Sequence, residues 1–243
     1  MNFGVIAAGE GSRLSEEGIS VPKPLVDLNG EPMIGRLMRI FGELGAEDVA
    51  VVTNATRHET AQYLDEIAPT LPFRLHVKEA VTPSSMHTFA LLGDMLKGKG
   101  RFITTTVDTI FSATEFGKYV QAFQNAPADV DGMMAVTTYI DDEKPLYVRV
   151  DDRMDITAFL DKDPEPKYIS AGVYGLDDKA LDVLDGCLES GVSRMRNFQR
   201  ALVENGLRLK ASDIGRAIDL DHASDLELAR KITKEEKEEK EEI

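Results

Sequence analysis

The first half of the chain alternates between short strand patterns and longer helical patterns of apolar residues. The strand patterns cover residues 5–8, 49–53, 73–77 and 101–108, and the helical patterns cover residues 32–45, 56–67 and 112–124. Residues 79–92 turn from the end of a strand into a further helix. Helices of this length between buried strands are typical of right-handed crossover connections. The pattern therefore predicts an α/β fold with a mostly parallel sheet.

A different pattern begins after residue 125, where strands follow one another with fewer helices. Strands are predicted at residues 133–140 and 168–174, a hairpin at 147–150 and 155–160, and helices at 177–188 and 193–205. From Lys231 onward, lysine and glutamate interleave at helical spacing. We expect one domain over residues 1–230, with halves at 1–125 and 126–230, and a charged, solvated helical tail at 231–243.

Composition and charge narrow the class of protein. The 243 residues carry a formal net charge of −15, which argues against a nucleic-acid or anionic-membrane binder because those proteins need basic faces. Cys187 is the only cysteine, so no intrachain disulfide can form. No apolar run reaches membrane-spanning length, and we expect a cytoplasmic protein with no membrane partner.

One helix of the second half carries three arginines, at positions 194, 196 and 200. We interpret them as a charged solvent face, and a contact in a homo-oligomer is the alternative.

The most informative stretch lies at the end of the first strand pattern. The apolar run of residues 5–8 leads directly into Gly9 and Gly11. Two glycines so close together allow positive φ and let backbone N–H groups approach an anion. Arg13 and Lys23 add fixed positive charge beside this loop. The stretch predicts a loop that binds phosphate.

Two common nucleotide-binding fingerprints do not fit this loop. The G-x-G-x-x-G dinucleotide motif fails because Leu14 stands where its third glycine would be. The chain also lacks G-x-x-x-x-G-K-[ST], so a P-loop is excluded.

As a unit, residues 4–34 resemble the signature of the sugar-phosphate nucleotidyltransferases, also called NDP-sugar pyrophosphorylases. That signature reads roughly L-A-G-G-x-G-T-R-L, then P-K-P-L and G-K-P-M-I. The departures are Ala8 for glycine, Ser12 for threonine and Glu31 for lysine. The resemblance implies a three-layer α/β/α fold with a Rossmann-like mixed sheet and a small β-rich acceptor lobe, so that residues 1–125 bind nucleotide and residues 126–230 bind the acceptor. It implies a nucleoside triphosphate and a sugar 1-phosphate as substrates.

The resemblance also assigns residues to the nucleotide. Arg13 and Lys23 would bind the triphosphate, and Ser85 stands in the segment that contacts the base, although Ser84 or Ser85 is equally well explained as a cap of the following helix. The implied nucleotide-binding residues are Ala7, Ala8, Gly9, Gly11, Arg13, Lys23 and Ser85.

Two aspartates are candidates for holding Mg²⁺. Asp108 ends a strand pattern, and ligands of open α/β sheets lie beyond the carboxyl ends of the strands. It resembles the aspartate of the family's G-D-x-x-F segment, with Val107 in place of glycine. Asp219 resembles the second metal-binding aspartate, and the sequence leaves open whether Asp219 or Asp221 has that role.

The acceptor half carries a weaker match. Residues 159–164 and 168–174 resemble F-x-E-K-P and N-A-G-I-Y, which places Lys162 at the lysine that grips the sugar phosphate, Asp161 beside it and Gly172 under the sugar. The implied catalytic set is Arg13, Lys23, Asp108 and Lys162.

These residues support transfer of a nucleotidyl group to a phosphate oxygen with release of pyrophosphate. A phosphate monoester is largely ionised at neutral pH, so the reaction needs alignment and charge neutralisation rather than a general base. One alternative is a cytidylyltransferase for choline phosphate or another small alcohol phosphate. A second is a regulatory module that binds nucleotide sugar without turnover.

Overall fold

The computed structural model describes residues 1–140 and 143–241. The strands are β1 Asn2–Ala7, β2 Asp48–Asn54, β3 Arg74–Ala80, β4 Phe102–Thr106, β5 Thr109–Phe111, β6 Gly132–Thr137, β7 Tyr147–Val150, β8 Ile156–Leu160, β9 Tyr168–Leu176, β10 Leu209–Asp213 and β11 Ala217–Asp219. The helices are α1 Ser12–Glu16, α2 Met33–Glu43, α3 Glu59–Ile67, α4 Ser85–Leu96, α5 Ala113–Gln124, α6 Asp178–Glu189, α7 Met195–Glu204 and α8 Asp225–Glu241.

A mixed sheet forms the centre of the molecule, in the order β10-β6-β9-β4-β1-β2-β3. Strand β1 pairs in parallel with β2 and with β4, whereas β9 runs antiparallel to β4 and β6. The hairpin β7–β8 joins this sheet through β9. The predicted mixed α/β sheet is therefore confirmed: β1 to β4 of the first half pair in parallel, and β6 and β10 of the second half form a further parallel pair.

Both faces of the sheet are covered by helices because its strands are apolar on both sides. In β1, Phe3 and Val5 belong to the cluster that contains α2, α3 and α5, and Ile6 belongs to the cluster that contains α4, α6 and α7. Phe3 stacks on Phe41 of α2 with ring centroids 4.3 Å apart. Burial on both faces explains why the first strand reads as a continuous apolar run.

The end of the chain differs from the solvated helix that its charges predict. Helix α8 buries Ile232, Thr233 and Glu236 against the domain. Glu236 accepts a hydrogen bond from the buried guanidinium of Arg36 on α2. Residues 242 and 243 of the predicted tail lie outside the described residues.

A small ribbon at the carboxyl edge of the sheet was not predicted as a separate element. Strand β11 pairs antiparallel with β5, and Asp219 lies opposite Thr109. The predicted strand over 101–108 ends at Thr106, so Asp108 occupies the turn between β4 and β5. Within residues 1–140 and 143–241, no helix is both long and apolar enough to cross a membrane.

Candidate active site

The glycine loop lies between β1 and α1 and forms one wall of a cavity of about 650 Å³. Gly11 has φ of 63°, in the left-handed region, and a Cβ on it would lie 3.1 Å from Cβ of Lys23. Glycine is thus needed here both for the backbone conformation and for the close approach of Lys23. The cavity is lined by all seven predicted nucleotide-binding residues and Asp108: Ala7, Ala8, Gly9, Gly11, Arg13, Lys23, Ser85 and Asp108.

Lys23 is the most tightly held cation of this cavity. Its Nζ lies 2.6 Å from Oδ2 of Asp108 and 2.6 Å from Oδ1 of Asp221, and its side chain is 11% exposed. Burial alone would lower the pKa of this ammonium, but the charge of Asp108 and then the contacts with Asp221 outweigh burial and raise it. Lys23 is therefore fully charged at neutral pH.

Asp221 also binds the second cation of the loop. Nη1 of Arg13 donates to Oδ2 of Asp221 at 3.0 Å. Burial would raise the pKa of the Asp221 carboxyl, but the hydrogen bond and charge of Lys23, and then the charge of Arg13, lower it overall. Asp221 thus bridges Arg13 and Lys23 as a carboxylate.

Asp219 is oriented by a pair of threonine hydroxyls. Thr109 Oγ1 donates to Oδ1 of Asp219 at 2.9 Å, and the hydroxyls of Thr106 and Thr109 lie 2.6 Å apart. Asp219 is exposed as a residue because it lines an open cavity, but protein atoms surround its carboxyl group on the other sides. This loss of bulk water, followed by the charge of Asp108, raises the pKa of Asp219.

Gly172 on β9 lies beside this threonine pair. It has φ of 67°, and a Cβ on it would lie 2.2 Å from Oγ1 of Thr109 and 2.9 Å from Oγ1 of Thr106. The space above Gly172 is thus filled by the threonine hydroxyls. Its predicted place under a sugar stays a prediction.

A second cavity of about 440 Å³ opens on the other side of Asp221. Arg13 and Asp221 line both cavities, so the two volumes adjoin at this ion pair. The other charged residues along the second cavity are Glu143, Lys144, Arg196, Asp219, His222 and Asp225.

The predicted acceptor residues do not line this cavity, although Asp161 and Gly172 lie next to residues that do. Lys162 is exposed and lines neither cavity. Asp161 accepts from Arg196 Nη1 at 2.8 Å and lies 2.7 Å from Arg200, so it orients α7. The roles of Asp161 and Lys162 stay predictions.

Sequence reasoning missed the part that α7 plays at the second cavity. Arg196, interpreted as one residue of a solvent face, lines the cavity and is fixed by Asp161 and by the carbonyl oxygen of Lys144. The only signal in the sequence was the arginine-rich face itself, which a solvated helix also shows.

The donor set fits a hard cation that shares its coordination with phosphate. Asp108 and Asp219 come from neighbouring segments, and the mutual repulsion of their carboxylates would be relieved by a divalent ion. Among the described residues, no group of three or more His, Cys, Asp or Glu side chains is arranged to hold a metal by itself. Mg²⁺ is typically bound in this manner, by one or two carboxylates together with substrate phosphates.

The sequence matches one protein family over most of its length and is similar to curated proteins. A family model described as "Nucleotidyl transferase" matches residues 4–224. The chain is 26% identical over 211 residues to "Probable mannose-1-phosphate guanylyltransferase 1" of Oryza sativa subsp. japonica, a match that covers 84% of this chain and 56% of that protein. The chain spans about half the length of the curated relatives it matches.

Two solved structures share the fold over nearly their whole length. The inositol-1-phosphate CTP transferase from T. maritima has a TM-score of 0.77 at 19% identity and covers 96% of each chain. A putative glucose-1-phosphate thymidylyltransferase from Bacillus anthracis has a TM-score of 0.78 at 20% identity, over 96% of this chain and 95% of that one. The family match over most of the sequence confirms the resemblance of residues 4–34, and the chain belongs to the nucleotidyl transferase family.

Proposed function

We propose that the protein transfers a nucleotidyl group from a nucleoside triphosphate to a sugar 1-phosphate, with Mg²⁺, to form an NDP-sugar and pyrophosphate. The observation that carries this proposal is the position of Asp108 and Asp219 at the border of two adjoining cavities. A nucleotide in the first cavity and a phosphate in the second would meet at these carboxylates.

The first cavity suits the triphosphate. The glycine loop offers backbone N–H groups, and Arg13 and Lys23 offer charged donors whose side chains already point into the cavity. Ser85 lies at the start of α4, on the wall where the base would be placed.

Asp108 and Asp219 are the residues we propose for the divalent cation. When bound, Mg²⁺ would neutralise charge on the α-phosphate and on the entering phosphate. The threonine pair would hold Asp219 in one orientation, which reduces the cost of ordering it.

The reaction would be an in-line displacement at the α-phosphorus. A phosphate oxygen of the acceptor forms the new P–O bond with its own electron pair, and the bond from the α-phosphorus to the bridging oxygen of the β-phosphate breaks. Pyrophosphate leaves with that electron pair. Lys23 and Arg13 stabilise the charge that develops on the leaving group.

The second cavity is our candidate for the acceptor. Its lining combines Arg196 and His222 with the apolar side chains Ile169, Ile218 and Leu228. Charged donors beside apolar walls suit a phosphorylated ring, and the similar proteins are named for mannose, inositol and glucose 1-phosphates.

The test is release of pyrophosphate with Mg²⁺, using ATP, CTP, GTP, UTP and dTTP against a panel of hexose 1-phosphates, inositol 1-phosphate and choline phosphate. Asp108→Asn should abolish release. Asp94→Asn, which removes an exposed carboxylate of α4 that lines neither cavity, should leave it unchanged.

Release that depends on a sugar 1-phosphate would support the proposal and name the base and acceptor together. If choline phosphate were the only acceptor turned over, the proposed acceptor would be a small alcohol phosphate and not a sugar 1-phosphate. Binding of nucleotide sugar with no release from any pairing would leave a non-catalytic module.

A further inference from the structure

Asp221 occupies an unusual position for a carboxylate in a site proposed to bind phosphate. Its Oδ1 lies 2.6 Å from Nζ of Lys23 and its Oδ2 lies 3.0 Å from Nη1 of Arg13. These are the two cations that face the first cavity from the loop side. Asp221 is therefore an ion-pair partner of both groups on which a triphosphate would depend.

We propose that Asp221 is a positioning residue that acts as an exchangeable counterion: it holds Arg13 and Lys23 in place in the nucleotide-free protein, and the triphosphate replaces it as their partner. This inference rests on the proposed function, because it takes the first cavity as the triphosphate site. Asp221 then sets the affinity for nucleotide without itself contacting the reacting atoms.

The two ion pairs have the properties that such an exchange needs. Arg13 and Asp221 have side chains that are 53% and 44% exposed, and exposed pairs contribute little to stability. Lys23 keeps a second carboxylate, that of Asp108 at 2.6 Å, when Asp221 departs. Breaking the contacts of Asp221 therefore leaves no buried charge without a partner.

The backbone of Asp221 is held by hydrogen bonds, whereas its carboxylate borders two cavities. Oδ2 of Asp225 accepts the backbone N–H of Asp221 at 2.9 Å and that of His222 at 2.7 Å. Asp221 lines both the first and the second cavity. The exchange that we propose is therefore a rotation of the Asp221 side chain from the first cavity toward the second.

The net charge of the cluster favours the replacement. Three carboxylates, those of Asp108, Asp219 and Asp221, lie around the two cations Arg13 and Lys23, so a polyphosphate that arrived with Asp221 in place would meet an excess of negative charge. A triphosphate carries several negative charges and can bind a guanidinium through two oxygens, so it competes well with the single carboxylate of the half-exposed Arg13–Asp221 pair. We expect phosphate to displace Asp221, and we expect this displacement to lower the affinity of the protein for triphosphate by a measurable amount.

The experiment is calorimetric titration of the full chain with inorganic tripolyphosphate in EDTA, so that neither base nor metal contributes. Asp221→Asn and Asp221→Ala should each bind tripolyphosphate about 10-fold more tightly than the wild type. Glu10→Gln is the matched control. Glu10 lines the same cavity and, within the described part of the chain, forms no ion pair with Arg13 or Lys23, so its removal should change affinity by about 2-fold or less.

A double-mutant cycle distinguishes the replacement of Asp221 by phosphate from the general electrostatic effect of removing one negative charge. In an Arg13→Gln background, the gain from Asp221→Asn should shrink from about 10-fold to about 3-fold, because one of the two competing partners is gone. Thermal unfolding of each variant shows whether it is folded.

Equal or weaker tripolyphosphate binding by both folded Asp221 variants would overturn the inference, as would the same gain from Glu10→Gln. Pyrophosphate release from the wild type is measured on the same preparation. If the wild type releases pyrophosphate but the Asp221 variants bind tripolyphosphate no more tightly, only the proposed role of Asp221 is wrong. If the Asp221 variants bind more tightly but no substrate pair gives pyrophosphate, only the proposed nucleotidyl transfer is wrong.

Discussion

The two cavities differ in where their lining residues lie along the sequence. Every predicted nucleotide-binding residue lines the first cavity, and most of them belong to one continuous stretch that starts at the end of β1. None of the predicted acceptor residues Asp161, Lys162 and Gly172 lines the second cavity. Its lining comes from residues of α1, β5, β6, β9, α7, β11 and α8 and of the segments between them.

The difference shows what a local motif can specify. A loop that leaves the carboxyl end of a central strand has its position set by the sheet, so its residues indicate a cavity directly. A cavity built from many separated elements depends on how those elements pack. The following experiments test this contrast, from the largest expected effect to the smallest.

Asp219→Asn should reduce kcat for pyrophosphate release on the order of 1000-fold, because Asp219 and Asp108 would together hold the cation between the cavities. Steady-state kinetics with the substrate pair found in the panel, and binding of Mn²⁺ followed by electron paramagnetic resonance, give two readouts. Asp213→Asn is the control, since Asp213 lies on β10 and lines neither cavity. Unchanged Mn²⁺ binding in Asp219→Asn would remove Asp219 from the metal site.

Lys23→Gln should lower kcat/KM for the nucleotide about 50-fold and change KM for the acceptor little, because Lys23 faces the first cavity only. Lys97→Gln, at an exposed lysine of the α4–β4 connection, is the matched control. An equal loss for both substrates would show that the two cavities are not functionally separate.

Gly172→Ala should lower the free energy of unfolding by about 2 kcal/mol, because the new Cβ meets Oγ1 of Thr109 and the residue is held at positive φ. Urea titrations measure this cost. It should shrink in a Thr109→Ala background, which removes the clashing hydroxyl, and persist in Thr109→Val, which keeps an atom there. A cost that is the same in all three backgrounds would assign the loss to φ alone.

Arg196→Gln should raise KM for the acceptor about 10-fold, whereas Lys162→Gln should change it by about 2-fold or less, because only Arg196 lines the second cavity. Initial rates at saturating nucleotide measure both. The reverse order would support the role of Lys162 that the family resemblance implies, and would show that the acceptor lies outside this cavity.

Several features of the fold could be predicted because they depend on neighbouring residues. The apolar runs predicted the parallel strands β1, β2, β3 and β4, and the helix over 32–45 is observed as Met33–Glu43. The tail could not be predicted in full, because the burial of Glu236 depends on Arg36, two hundred positions away. A charge in a helical repeat does not indicate by itself whether it faces water or a distant partner.

The sequence by itself determined the glycine loop, its two cations and the strand that leads to Asp108, because local conformation and sheet position fix these together. Only the tertiary structure decided that Asp219 is held by Thr109 and that Asp221 binds Arg13 and Lys23. Those contacts join residues that lie 110 to 208 positions apart. Carboxylates two positions apart acquire different partners here because β11 places Asp219 against β5, whereas Asp221 lies beyond the strand and faces the loop.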